Sequence, residues 1–164
     1  MTLDLEISPE ENRLIEYSQE MVVKYNMMRH QNGGQDTLYS FLLSDSGNFY
    51  DGASYEPNIA QATVCGERCA MAAMVLHESY SAKIRHIVVA DPVPDVQEQG
   101  TPPCGTCRHL IWFHGTPETT VLLMQYIQGK HSWTFPKIQK FAIQDLYPHP
   151  YEPNPTLWEN WQPT

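Results

Sequence analysis

A chain of 164 residues is long enough to bury a sizeable core, and its size is that of one domain, expected to span 1–164. Nineteen acidic against ten basic residues give a net charge of -9, and such a surface repels polyanions, which argues against DNA or RNA as a partner. No stretch approaches the roughly eighteen consecutive apolar residues of a membrane span, and the acidic start 1–12 lacks the basic lead and apolar run of a secretory signal, so a cytoplasmic protein without a membrane partner is expected.

Ser8-Pro9-Glu10-Glu11 predicts a helix start, with a hydroxyl cap, a proline at the first helical position and a carboxylate that can close a capping box. Leu14, Ile15, Ser18, Met21, Val22 and Tyr25 follow at helical spacing, which predicts a packing helix up to the Asn32-Gly33-Gly34 breaker. Residues 37–43 and 48–53 read as strands joined by the turn 44–47, where Gly47 supplies a positive φ. Residues 65–77 are rich in Ala, Met, Val and Leu and read as a buried helix that begins at Cys65.

Residues 84–90 have the continuous apolar character of a strand covered on both faces, ended by Asp91-Pro92. A polar loop, 93–103, precedes Cys104-Gly105-Thr106-Cys107, which leads into a helix over 108–114 and a strand over 120–126. This alternation predicts a layered α/β sheet with helices on its faces. The proline-rich tail, about 147–164, is expected to wrap over the surface.

Four cysteines in a cytoplasmic chain, two of them spaced C-x-x-C, point to a metal or a redox pair before disulfides. Cys65-Gly66-Glu67 and Pro103-Cys104-Gly105-Thr106-Cys107 each open a predicted helix, where free N–H groups and the helix dipole favour the thiolate. Cys65, Cys104 and Cys107 therefore make three ligands of a zinc site with an open fourth position, the composition of a catalytic centre that activates water. Glu67 is expected to be the catalytic acid and base, and Arg68 to offset the excess thiolate charge by hydrogen bonding to sulfur. The combination C-x-E with P-C-x-x-C matches the pattern of zinc nucleobase deaminases. Two bland readings compete: Cys69 could join the others in a closed four-cysteine structural zinc, or Cys104 and Cys107 could be a redox pair. On the preferred reading Cys69 is an ordinary small core residue.

At these residues the chain resembles the cytidine deaminase family, the small zinc-dependent enzymes that include blasticidin S deaminase. The family's G-x-N-x-E is similar to Gly52-Ala53-Ser54-Tyr55-Glu56, its T-x-C-A-E-R to Thr63-Val64-Cys65-Gly66-Glu67-Arg68, and its S-P-C-G-x-C-R-Q to residues 102–109. Its terminal E-L-L-P-x-x-F resembles Asp145-Leu146-Tyr147-Pro148-His149-Pro150-Tyr151. The resemblance implies a three-layer α/β/α sandwich with a mixed five-stranded sheet, one zinc ion per subunit, and a homo-oligomer, tetramer or dimer, whose neighbours complete each active site. It also implies that Ser54 and Glu56 meet the sugar, that Gly66 and Pro103 line the substrate site, and that Tyr151 stacks on the pyrimidine.

Three departures qualify the match. Ser54 replaces a sugar-binding asparagine with a shorter hydroxyl. Residues 36–40 align with the family's F-x-V-G-A strand without its aromatic or its glycine, and the loop 91–103 is longer than the family's connection. The expected function is hydrolytic deamination of cytidine, 2'-deoxycytidine or a related aminopyrimidine nucleoside, with release of ammonia. The runner-up substrate is a modified, blasticidin S-like nucleoside or base analogue, favoured by Ser54. From a different class, a non-catalytic zinc-stabilised binding module predicts that Glu67→Gln changes nothing. The histidines show no ligand spacing, and the four tryptophans read as core or interface aromatics.

Overall fold

Helix α1 (Pro9–Gln31) begins where the capping box places it, in a computed structural model that describes residues 6–57, 59–130 and 132–151. The Ser8 hydroxyl accepts from the Glu11 N–H at 3.2 Å and the Glu11 carboxylate accepts from the Ser8 N–H at 2.8 Å. Glu11 is almost wholly buried and also accepts from Lys140 at 2.7 Å and Thr120 at 2.9 Å, which stitches the first helical turn to the sheet. Burial pushes its pKa up, but the Lys140 ammonium and the Ser8 and Thr120 donors outweigh that and hold it below the usual carboxylate value.

Strands β1 (Tyr39–Ser44) and β2 (Phe49–Ala53) form the expected hairpin, and Gly47 turns it at φ 85°. Strand β1 starts two residues later than the sequence suggests. After a short 3-10 turn (Ala60–Ala62) come α2 (Gly66–His77), β3 (Ile84–Pro92), α3 (Gly105–His114), β4 (Thr120–Gln128), β5 (Trp133–Ala142) and the single turn α4 (Ile143–Leu146). Neither β5 nor α4 is foreseen in the chain-order reading.

The sheet order is β2-β1-β3-β4-β5, with β3 and β4 parallel and every other pair antiparallel. Side chains alternate across it. Phe41, Leu43, Val88, Ala90, Leu122 and Met124 face Leu14, Ile15, Met21 and Val22 of α1. Leu42, Ile87, Val89, Val121 and Leu123 face Ala70, Met71 and Met74 of α2 and Ile111 of α3. Burial of each such aliphatic side chain contributes about 1.5–3 kcal/mol, so both helical layers are held mainly by apolar contact. The arrangement is the expected three-layer α/β/α sandwich with a mixed five-stranded sheet. Among the described residues no helix is long and apolar enough to cross a membrane. The proline-rich tail beyond 151, with Trp158 and Trp161, lies outside the described residues.

Candidate metal centre

Cys65 is the cap residue of α2 and Cys104 that of α3, each with extended backbone (φ -66° and -65°). Their sulfurs turn toward each other and lie 3.7 Å apart. Cys107, in the first turn of α3, is fully buried, and the three sulfurs all lie within 4.8 Å of one another. Three sulfurs at about 2.3 Å from a tetrahedral cation would stand about 3.8 Å apart, so the cluster fits a metal ion of that kind. No histidine or carboxylate joins the group among the described residues.

The approach of α2 to the β1–β2 hairpin depends on glycine. A Cβ on Gly52 of β2 would run into the Gly66 carbonyl oxygen and the Ala70 amide nitrogen, and one on Gly66 would stand 3.2 Å from Ser40 N and Oγ. The start of α2 is therefore pressed onto the β1–β2 hairpin.

The thiols differ in ionisation. Burial opposes the Cys104 thiolate, yet the Cys107 and Thr106 amides at the helix N-terminus and the neighbouring thiols bring its pKa below the ordinary value. Burial raises that of Cys65, with Cys104 and Glu67 adding to the effect, and burial followed by the Glu67 charge drives that of Cys107 far up. A cation at the centre would invert this balance, because a thiol that coordinates a metal gives up its proton to solvent and binds as thiolate.

Glu67 follows Cys65 by two residues and is 3% exposed. Burial raises its pKa, against smaller opposing effects from its own amide, Cys107, Ser40 and Arg68. Its Oε2 and the Ser40 Oγ are buried with no hydrogen-bond partner among the described residues. Buried polar atoms in native proteins are nearly always paired, so the partnerless Glu67 Oε2, on a carboxyl that neighbours Cys107, marks a place for a ligand. Ser40 carries no motif and no spacing signal; only the sheet register reveals it.

Arg68 was expected to hydrogen bond sulfur. Its Nη2 donates to the Thr63 carbonyl at 2.8 Å, Nε is buried without a partner among the described residues, and a side-chain hydrogen bond to Cys65 is among the effects that favour its charge. Burial works against its charge, but the thiols of Cys65, Cys107 and Cys104 hold that charge in place. Cys69 is half-buried rather than a core residue, and it sits at the α2–β2 contact, where a Cβ on Gly52 would stand 3.0 Å from its own. It stands outside the thiol group, and Cys69→Ser is expected to leave metal content unchanged; loss of the metal in that variant, measured by atomic emission, would restore the four-cysteine reading.

An antiparallel bridge between Tyr55 and Val64 runs Ser54 and Glu56 alongside the segment that ends in Cys65. Ser54 is half-buried and donates its N–H to Leu38 at 2.9 Å, while Glu56 is exposed. Gly66 and Pro103 are buried, and the Pro103 carbonyl accepts from Arg108 Nε at 2.7 Å. Tyr151 is 61% exposed, donates its N–H to the Tyr147 hydroxyl at 3.0 Å and lies 6.2 Å from the His109 ring, one turn into α3. Cys104 is exposed, so the centre is an open corner. A cavity of about 300 Å³ near Tyr25, Tyr39 and Asp51 is not lined by the thiols and lies against α1.

No protein-family model matches the sequence, and no curated protein matches it. Solved structures match the fold. The cytidine deaminase of Burkholderia pseudomallei superposes with a TM-score of 0.59 at 18% identity, over 80% of this chain and 98% of that one. The cytidine deaminase of Bacillus anthracis does so at 0.50 and 17%, over 88% and 94%, and that of Mycobacterium tuberculosis at 0.50 and 19%, over 71% and 79%. The chain has the cytidine deaminase fold.

Proposed function

We propose that the protein is a zinc-dependent hydrolase that deaminates cytidine, 2'-deoxycytidine or a related aminopyrimidine nucleoside. The observation that carries this reading is the meeting of three cysteine sulfurs within 4.8 Å at two helix N-termini, with the buried Glu67 carboxyl beside them. Zinc held by Cys65, Cys104 and Cys107 with one position open would supply a water acidic enough to act as nucleophile near neutral pH.

The remaining work falls to the chain's own groups. Water adds at the amine-bearing ring carbon, the C–N bond breaks, and a carbonyl and ammonia result. Glu67 takes the proton released by water, passes it to the ring nitrogen, and returns a proton to the departing amine. Its partnerless, buried Oε2 supports that role. Arg68 lowers the cost of three thiolates in one site without ligating.

Both arginines nearest the thiols, Arg68 and Arg108, point guanidinium donors at main-chain carbonyls of Thr63, Pro103 and Leu146. That favours an uncharged nucleoside over a phosphorylated one. Ser54 and Glu56 meet the sugar, Gly66 and Pro103 line the ring's entry, and Tyr151 stacks on the base beside His109. The open corner fits an assembly, tetramer or dimer, in which a second copy covers the site.

Ser54 favours the modified aminopyrimidine as the second reading, since a single short hydroxyl suits a changed sugar. The deciding experiment is ammonia release by the zinc-loaded protein offered cytidine, deoxycytidine, cytosine, blasticidin S-like nucleosides, adenosine and guanine. Turnover of cytidine supports the leading reading. Turnover of an analogue alone keeps the chemistry and moves the substrate, and silence on every amine overturns the proposal.

A further inference from the structure

The strap 93–103 between β3 and α3 crosses the α2 and α3 side of the sheet before it delivers Cys104. We propose that Gln125 and Gln139 are positioning residues of the metal centre, which clamp this strap to the sheet and so hold Cys104 within reach of Cys65 and Cys107. The proposal rests on the reading of those thiols as metal ligands.

Gln125 of β4 is 0% exposed, on the sheet face that Val121 and Leu123 fill with apolar packing. A buried amide is costly unless paired. Here both ends are paired to one residue: Oε1 accepts from the Gln97 N–H at 2.8 Å, and Nε2 donates to the Gln97 carbonyl at 2.9 Å. This is the two-point pairing of neighbouring strands, made by a side chain. It selects one strap conformation.

The neighbours in register extend the clamp. Gln139 of β5 pairs with Leu123, and Lys137 with Gln125. The Gln139 Oε1 accepts from the Gly100 N–H at 2.8 Å. Gly100 lies so close to the sheet that a Cβ there would stand 2.9 Å from that of Leu123. The Lys137 ammonium donates to the Gln97 carbonyl at 3.1 Å and also to that of Glu98.

From this patch the path to the thiol has little slack. Thr101 donates its hydroxyl to the Asp91 carboxylate at the end of β3, Pro102 and Pro103 fix their own φ angles, and the Pro103 carbonyl is held by Arg108. Cys107 lies inside α3 and Cys65 opens α2, whereas Cys104 stands where the strap enters α3, its carbonyl accepting from the Arg108 N–H at 2.9 Å, so strap and helix together set its place. Neither glutamine ligates; both act through the main chain.

The test uses Co²⁺ as the probe. Gln125→Leu removes both hydrogen bonds at nearly constant volume, and Gln139→Leu, on the half-buried edge strand, removes the second anchor with less risk to folding. Outer-shell changes cost metal sites about 10–100-fold in affinity. We expect Co²⁺ to pass to a competing chelator about tenfold faster from Gln125→Leu than from the unmodified chain. The visible Co²⁺ bands should shift, and the amides of 97–101 should lose hydrogen-exchange protection. Gln139→Leu should move the same way and decides the matter if Gln125→Leu does not fold. Leu14→Ala, in the core under α1, should lower the melting temperature with release rate and spectrum unchanged. If folded glutamine variants release Co²⁺ at the unmodified rate with the unmodified spectrum, the clamp is overturned while the metal reading stands. If the unmodified chain takes up no Co²⁺, the thiol reading fails and this proposal with it.

Discussion

Glu67→Gln is expected to reduce turnover of the best amine substrate by about 10²–10⁴-fold, the range that a positioned general acid and base contributes, with one metal per chain retained. The amide keeps the size of the carboxyl and one acceptor oxygen but cannot take a proton. Glu67 is 3% exposed in the first turn of α2, next to the thiols yet outside their group, so the substitution removes proton transfer without removing a ligand. The check is kcat beside metal content and melting temperature. A variant within threefold of the unmodified kcat would make Glu67 a structural carboxyl, and metal lost with activity would make it a ligand; either result ends its assignment as proton carrier.

Cys107→Ser is expected to abolish both metal retention and activity. Cys107 is fully buried, and the charge of Glu67 beside it works against its thiolate, so a cation is what makes that thiolate tolerable. A serine there presents a hydroxyl that does not ionise at neutral pH, and two thiols remain. Ligand binding to the folded state stabilises by RT ln(1 + [L]/Kd), about 4 kcal/mol at a thousand times Kd. Zinc should therefore raise the melting temperature of the unmodified chain by several degrees and leave that of Cys107→Ser where a chelator leaves it. An equal zinc-induced rise in both proteins would remove Cys107 from the ligand set.

The parts of this architecture written in local chemistry were legible in the sequence. Ser8-Pro9-Glu10-Glu11 specifies α1 through hydrogen bonds that close within one turn, and Gly47 specifies the hairpin through its own φ. The thiols were legible because Cys65 and Cys104 each open a helix and Cys107 follows in the first turn, so residue type and local position coincide. Strand β5 was hidden for a physical reason. Trp133 and Phe135 face the α1 layer from odd positions, but the register shifts opposite Gln125 to Ile127, beside Pro136, and Ile138 continues that face from an even one. A period of two that changes parity midway gives no strand signal.

Partnerships at long separation were equally invisible. Ser40 approaches the start of α2 through the hairpin packing, and Gln125 and Gln97, whose mutual bonds cross 28 positions, look like ordinary polar residues of a strand and a loop.

The parallel pairing of β3 with β4 sets the order in which the chain can mature. Cys65 precedes β3, whereas Cys104 and Cys107 belong to the crossover that α3 makes between β3 and β4. Such a connection closes a long loop before its contacts repay the lost freedom, and parallel pairing is among the slower events of folding. The three sulfurs meet only after that crossover has docked. Any metal that these thiols take up as an assembled group is thus taken up late, and a nascent chain that ends before β4 presents them unassembled and open to oxidation.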